Sequence, residues 1–245
     1  MKGSHWMLIT FFTFQLFQAA FCRVHLHNTS AFDQKCQEPA LPPGTPLARE
    51  YDFIYFVQQW QISLCYIKSC IKPARPIFSI HGLRPSSYSG TTPSNCGTGS
   101  KFDPQKISDL IDRLNVEWPS LVLEDNYELW KYELEKHGIC SQALLPQHAF
   151  FEAALKLKEK YRLVDMLAEK DIYPFGELYR VDSVTDAIRT ATGHNPQIQC
   201  NLYKKIPLLS QIFLCFDTNA TNIIDCPLKK RCHYDEIMIP FSVWF

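Results

Sequence analysis

Charge of one sign is not in excess. The 245 residues hold 25 Lys plus Arg against 25 Asp plus Glu, so no global field draws the chain onto a polyanion or an anionic membrane, and any nucleic-acid contact must be local. No two cysteines form a C-x-x-C pair and no His stands at ligand spacing within a cysteine cluster, which places disulfides well ahead of a zinc site. After the first 22 residues no apolar run reaches the 20 or so residues that a membrane span needs. There is no internal repeat and no second core, which favours one folded domain.

What the chain does have is 46% hydrophobic and 13% aromatic residues, a composition that suits a well-packed globule and excludes a disordered tail. Its first segment, MKGSHWMLITFFTFQLFQAAFC, has Lys2, then an uncharged apolar stretch with Ala19 and Ala20 near its end. That is the layout of a secretory signal peptide over residues 1 to 22. Gln15 and Gln18 inside the stretch argue against a membrane anchor. Residues 23 to 50 are polar and Pro-rich (EPALPPGTP) and read as an extended arm.

Ten cysteines fit an oxidising destination. Cys22 lies at the edge of the signal segment and Cys36 in the arm. Cys65, Cys70, Cys96, Cys140, Cys200, Cys215, Cys226 and Cys232 remain for a folded body over residues 51 to 245. Two glycosylation sequons, at Asn28 and Asn219, are compatible with secretion.

Strands are expected at both ends of that body: YDFIYFVQQW (51 to 60), PIFSI running into His81, LSQIFLCFD (209 to 217) and NIIDCP (222 to 227). Between them come helices. Asp103 and Pro104 open one, with Ile107, Leu110, Ile111 and Leu114 as its apolar stripe, ending near Trp118. A second covers ELWKYELEKHG with Gly138 as terminator, a third AFFEAALKLKEKYRLVDML, and a fourth SVTDAIRTAT before Gly193. Strands flanking helices indicate an α+β fold rather than alternating βαβ units.

In two segments a histidine precedes a glycine. FSIHGLRP (78 to 85) puts His81 at the end of an apolar run, with Arg84 just before Pro85. ELWKYELEKHGIC (128 to 140) puts Glu133, Lys136 and His137 at i, i+3 and i+4, on one face of a helix. Each alone has an ordinary explanation, a satisfied structural histidine or a solvated charged face. Two converging imidazoles, however, supply a base and an acid near neutral pH, the minimum for attack by a ribose 2′-hydroxyl on its own phosphate. A neighbouring Lys neutralises charge building on the phosphorus oxygens. That chemistry calls for no metal and no cofactor.

FSIHGLRP resembles the first active-site motif of the ribonuclease T2 family, Ile-His-Gly-Leu-Trp-Pro, and ELEKHGIC resembles the second, Glu-x-x-Lys-His-Gly-Thr-Cys. The resemblance runs from Tyr51 to about Phe241 through YDFIYFVQQW, PSNC around Cys96, FDPQKISDLIDRLNVEWP and the last cysteines. It is nearest to the plant branch of S-like and pistil S-ribonucleases. It implies a disulfide-stapled α+β domain with a mostly antiparallel central sheet packed against helices. The implied activity is endonucleolytic cleavage of single-stranded RNA through a 2′,3′-cyclic phosphate, by a metal-independent monomer that is secreted or delivered to the vacuole and has no stable membrane association.

Carried over residue by residue, His137 is the general base, His81 the acid, and Lys136 and Glu133 stabilise the transition state and tune the histidine beside them. Gln59 matches a base-pocket position. The implied disulfides are Cys65 with Cys70, Cys96 with Cys140, Cys200 with Cys232, and Cys215 with Cys226. A further bridge of some relatives is missing at both ends, where Ile71 and Val122 stand.

The chain departs from the pattern within the site. Arg84 replaces Trp, Tyr132 replaces a His, Leu129 replaces a base-pocket aromatic, and Ile139 replaces Thr. Tyr132 still offers a hydrogen bond to phosphate. Arg84 has three readings open: a bidentate or stacking contact with RNA, a like charge that depresses a nearby histidine, or a side chain in solvent. Three roles follow. The first is an S-like enzyme of RNA turnover, phosphate recovery or defence. The second is a pistil S-ribonuclease, disfavoured by a pI near 7.1 where such proteins are basic. The third is a secreted homologue whose turnover is weakened.

Overall fold

Strand β1 (Phe53–Trp60) is buried along its whole length, and its alternation explains why both faces of FIYFVQQW are apolar. Ile54, Phe56 and Trp60 enter the main core, whereas Phe53, Tyr55 and Val57 form a smaller cluster with Phe213, Cys215 and Cys226. The computed structural model describes residues 51 to 97, 99 to 227 and 231 to 242. The signal segment, the Pro-rich arm, Cys22, Cys36 and Asn28 lie outside them.

β1 pairs antiparallel with β2 (Phe78–Ser86) on one edge and with β5 (Ile206–Phe216) on the other. The eleven-residue β5 organises the sheet. On the edge that meets β1 it also touches β7 (Glu236–Met238) in parallel, and β7 carries the short β3 (Leu178–Arg180). Its opposite edge takes β4 (Gln197–Tyr203) and then β6 (Ile223–Ile224). All named pairings but β5 with β7 are antiparallel, and β2 lies at one end of the order β2-β1-β5-β7-β3. The α+β architecture with a mostly antiparallel sheet is therefore the one the sequence implies.

Among the described residues six α-helices accompany the sheet: α1 (Gln61–Ile67), α2 (Ile111–Glu117), α3 (Asn126–Lys136), α4 (Gln147–Lys160), α5 (Leu163–Ala168) and α6 (Val181–Thr192). Two expected helices are divided. Asp103 caps as expected, accepting from the Gln105 amide at 3.0 Å, but the segment it opens is a tight 3-10 turn (Pro104–Ile107) that precedes α2. The apolar stripe survives the division, since Ile107, Leu110 and Leu114 are all buried. The long helix over 149 to 167 breaks at Tyr161, whose ring is buried against Phe216 and whose carbonyl accepts from the buried Gln58 amide at 3.0 Å. A buried amide needs that acceptor more than the helix needs continuity.

α1 and β4 carry too weak a period to be read in advance. β2, expected to stop at His81, continues to Ser86. Gly138 does not terminate α3 through a left-handed turn. It opens a 3-10 turn (Gly138–Ser141), where a β-carbon would stand 2.9 Å from the Phe150 ring and 3.0 Å from Leu134. Gly193 does end α6 in the left-handed region, with φ 77°.

Among the described residues four disulfides join Cys65 to Cys70, Cys96 to Cys140, Cys200 to Cys232 and Cys215 to Cys226. Where Ile71 and Val122 stand, the Ile71 amide donates to the Leu121 carbonyl at 2.8 Å, so a backbone bond ties the two segments. The Cys96–Cys140 bridge closes 44 residues between the loop after β2 and the turn after α3. In the chain-entropy account a loop of that length contributes about 4 kcal/mol. A Cys96→Ala/Cys140→Ala variant should lose stability of that order in guanidinium titrations, and a loss under about 1 kcal/mol would show the two segments held by other contacts.

Candidate active site

The register between β1 and β2 slips at one residue. Val57 faces Gly82 and Gln58 faces Ile80, leaving His81 without a partner. His81 is thus the extra residue of a β-bulge, a device that bends a strand and re-aims the side chain. Its Nδ1 lies 3.0 Å from Oε1 of the buried Gln59, so Gln59 of β1 orients the ring. Gly82 follows for a steric reason: a β-carbon there would stand 2.5 Å from Oε2 of Glu133, which is 2% exposed.

Helix α3 brings that carboxylate. Asp125 caps it by accepting from the Tyr127 amide at 2.8 Å, and Lys136 stands three residues after Glu133. His137 is its C-terminal cap, still joined to the helix by its amide, which donates to the Glu133 carbonyl at 3.1 Å. The loop after β2 holds this end from the other side. The Asn95 amide donates to the Lys136 carbonyl at 2.9 Å, Asn95 adopts φ 56°, and the adjacent Cys96 is bonded to Cys140.

Lys136 Nζ donates to the Tyr132 hydroxyl at 2.5 Å and sits 4.8 Å above the same ring. The Tyr132 ring is half exposed and meets His137 edge-on, 6.3 Å between centroids. Tyr132 therefore stands at the site, holding the lysine. Leu129 packs against the hydrophobic core. Asn219 is exposed in the turn between β5 and β6, while the Thr221 hydroxyl of its sequon donates to Asp217.

Arg84 joins the two motifs. Its Nη2 lies 2.8 Å from His81 Nε2 and 3.2 Å from Glu133 Oε1, with 24% of the side chain exposed. The solvent-pointing reading is excluded. Because a guanidinium only donates, His81 Nε2 is the acceptor, and the ring proton sits on Nδ1, donated to Gln59.

The electrostatics follow from this placement. Burial, then Arg84, then His137 hold the His81 pKa down to about 3. Burial, Arg84 and Lys136 hold His137 down to about 4, with the Pro93 carbonyl opposing them. Burial raises Glu133 despite the opposing charges of Arg84 and Lys136. Pro93 and Asn95 were not singled out in the sequence, because a backbone carbonyl or amide leaves no residue-type signal. Among the described residues no cluster of His, Cys, Asp or Glu is arranged to hold a metal ion.

Arg84, bonded to both the bulged His81 and Glu133, thus brings the first histidine motif against the end of the stapled helix that carries Lys136 and His137. The match to known proteins is specific. The ribonuclease T2 family model covers residues 51 to 226. Extracellular ribonuclease LE of Solanum lycopersicum is 41% identical over 190 residues, 74% of this chain and 83% of the relative. Ribonuclease MC1 from the seeds of bitter gourd superposes with a TM-score of 0.72 at 32% identity, covering 77% of this chain and 100% of that one. A ribonuclease-like storage protein of Panax ginseng is 32% identical over 173 residues, 69% of this chain and 72% of its own. The chain belongs to the ribonuclease T2 family.

The depressed histidines make a prediction with a definite sign. An unfolded chain takes protons onto both rings as pH falls through the ordinary value of 6.5. The folded chain refuses them until about 4 at His137 and about 3 at His81. Their effect on stability is absent above 6.5 and grows as pH falls, lowering stability. The raised Glu133 acts in the opposite sense. Urea titrations at about pH 7 and about pH 4.5 should therefore show wild type losing stability relative to a His81→Asn/His137→Asn variant, and a pH-independent gap would contradict the depressed values.

Proposed function

We propose that the chain, a T2-type ribonuclease by family, cleaves single-stranded RNA internally by metal-independent transphosphorylation. His137 accepts the proton of the ribose 2′-hydroxyl as its oxygen forms a bond to phosphorus. The bond from phosphorus to the leaving 5′-oxygen breaks, and that oxygen takes a proton from His81 Nε2. The product is a 2′,3′-cyclic phosphate, and charge and protons balance. Lys136, positioned by Tyr132, offsets negative charge on the non-bridging oxygens. The observation that carries this reading is that Arg84 bonds both His81 and Glu133, the residue one helical turn before His137, so the two sequence-distant motifs share one site.

Of the two parts the resemblance implies for Glu133, we assign the tuning of the histidines. Its Oε1 is engaged by Arg84, so it acts on the histidines through the arginine rather than by touching phosphate. Gln59 orients His81, and a base pocket would form from what lies beyond it. Residues 1 to 22 are read as a signal peptide and 23 to 50 as an arm, followed by the catalytic domain. Delivery outside the cell or to the vacuole, as a monomer, agrees with that segment and with tomato ribonuclease LE being named extracellular. A role in RNA turnover, phosphate recovery or defence fits the balanced charge.

One observation favours a second reading. Arg84 occupies the nitrogen that must carry the acid's proton, and a relative is a storage protein, so the fold is compatible with weak turnover. Purified protein in EDTA decides between them. Cleavage of homopolymer RNA that falls at least about 100-fold in His81→Ala and in His137→Ala supports the enzyme. Undiminished cleavage in either variant overturns it. Wild-type cleavage near background that rises more than about tenfold in Arg84→Trp supports the second reading.

The productive free enzyme has His81 protonated and His137 neutral. With values of about 3 and about 4 that form is a minority at every pH and shrinks about tenfold per unit above pH 4. kcat/KM should therefore fall about tenfold per unit between pH 5 and pH 7. A flat profile across that range would show that one of the two histidines is not the group assigned.

A further inference from the structure

Arg84 is unaccounted for by the reaction just described, and its contacts are incomplete in an informative way. One nitrogen, Nη2, serves two partners, His81 Nε2 at 2.8 Å and Glu133 Oε1 at 3.2 Å. Its Nε is buried without a partner, and so is Glu133 Oε2. Both orphaned atoms face one spot above Gly82, where a β-carbon would stand 3.1 Å from Nε and 2.5 Å from Oε2. An arginine and a carboxylate ordinarily meet through two parallel hydrogen bonds. Here one is made and the second, between the orphans, is not, because Nη2 is drawn toward the imidazole.

We propose that Arg84 is a positioning residue that blocks His81 in the empty site and is drawn off by a substrate phosphate, completing the two-pronged contact with Glu133 as it leaves. This rests on the ribonuclease reading for the role given to His81. Three features make the movement favourable. Withdrawal pairs two buried polar atoms that are unpaired in the empty site, offsetting the bond to His81 that is given up, so a phosphate contact is enough to tip the balance. The guanidinium is partly exposed, so a phosphate oxygen can meet an outer nitrogen while Nε and Nη2 engage the carboxylate. Gln59 keeps its hold on Nδ1 throughout, so the ring stays oriented while Nε2 becomes free to bind the proton it later delivers.

The charges around His81 agree. Neutral Gln59 faces it from β1, Arg84 from β2 and His137 from the cap of α3, while Glu133 of α3 meets Arg84 and Lys136 acts on Glu133 and His137. Binding of a phosphodiester adds a negative charge and removes the nearest positive one. Both changes favour the protonated ring. The acid is thereby loaded in an occupied site and withheld in an empty one.

Nuclear magnetic resonance of the histidine nitrogens in the whole protein tests this without relying on turnover. The probe is a 2′-deoxy dinucleotide, which carries the phosphodiester but lacks the attacking hydroxyl. In the free protein His81 should carry its proton on Nδ1. Saturating probe should raise its pKa by more than about one unit. Free Arg84→Gln should already show a raised value, with a smaller further rise on binding. Arg84→Lys, which keeps a cation opposite Glu133 but lacks the fork, gives the same comparison if the glutamine variant fails to fold. In wild type the alkaline limb of kcat should lie more than about one unit above that of kcat/KM, and the two should converge in Arg84→Gln.

A His81 value unmoved by saturating probe, or unchanged in both free variants, overturns the proposal. RNA cleavage is scored separately. Cleavage with an unresponsive His81 rejects the role of Arg84 and leaves the ribonuclease reading standing. A responsive His81 without cleavage does the reverse.

Discussion

The site depends on one close approach, the carboxylate of Glu133 pressed against the backbone of β2 at Gly82. A β-carbon at Gly82 would stand 2.5 Å from Oε2 of Glu133 and 3.1 Å from Nε of Arg84, so the missing side chain leaves room for the carboxylate and the guanidinium against the strand. With Glu133 at this point, Lys136 follows three residues on along α3 and His137 stands at the helix cap. The bulge acts from the other side. By leaving His81 unpaired between Ile80 and Gly82 it turns that ring away from the strand's regular alternation and onto Gln59. A glycine and a bulge side by side are thus two parts of one arrangement, the first admitting the Glu133 carboxylate and the second turning His81 toward Gln59.

Holding a carboxylate so deeply has an electrostatic consequence. Glu133 is 2% exposed, and a buried unpaired carboxylate is disfavoured by several kcal/mol. Arg84 answers this by supplying a cation, but its position also faces both histidines. The charge that stabilises Glu133 therefore destabilises the imidazolium on His81 and His137. Burial of Glu133 and protonation of the histidines make opposing demands on one guanidinium. Lys136 adds to the pressure on His137, although its ammonium is drawn toward Tyr132.

Much of this was legible in the residues. Both histidine motifs, the lysine and glutamate on one helical turn, the Asp103 cap, the buried first strand and the α+β order are matters of local pattern, and local pattern survives folding. The bulge was not, because register belongs to a pair of strands and neither sequence alone contains it. Nor was the break at Tyr161, which exists for a glutamine about a hundred positions away. Eight cysteines admit roughly a hundred pairings, so their partners came from family resemblance and not from spacing. β3 and β7 are three residues each and owe their extended form to one another. The direction of Arg84 was one of three open readings, since a flexible side chain goes where the charges of distant residues send it.

The position of Arg84 also changes what the second motif is for. In a site with an apolar residue there, a glutamate one turn before the catalytic histidine would be available to that histidine or to the substrate. Here its inner oxygen Oε1 is tied to the arginine, and Oε2 lies unpaired above Gly82. The substitution therefore reassigns a residue that it leaves unchanged in type. Glu133 becomes the anchor toward which Arg84 can retreat, and retreat exposes the one nitrogen that the reaction requires. A cation next to an acid catalyst looks like damage when residues are compared position by position. Coupled to a carboxylate with an unpaired oxygen, the same cation, on the mechanism we propose, makes protonation of His81 conditional on phosphate.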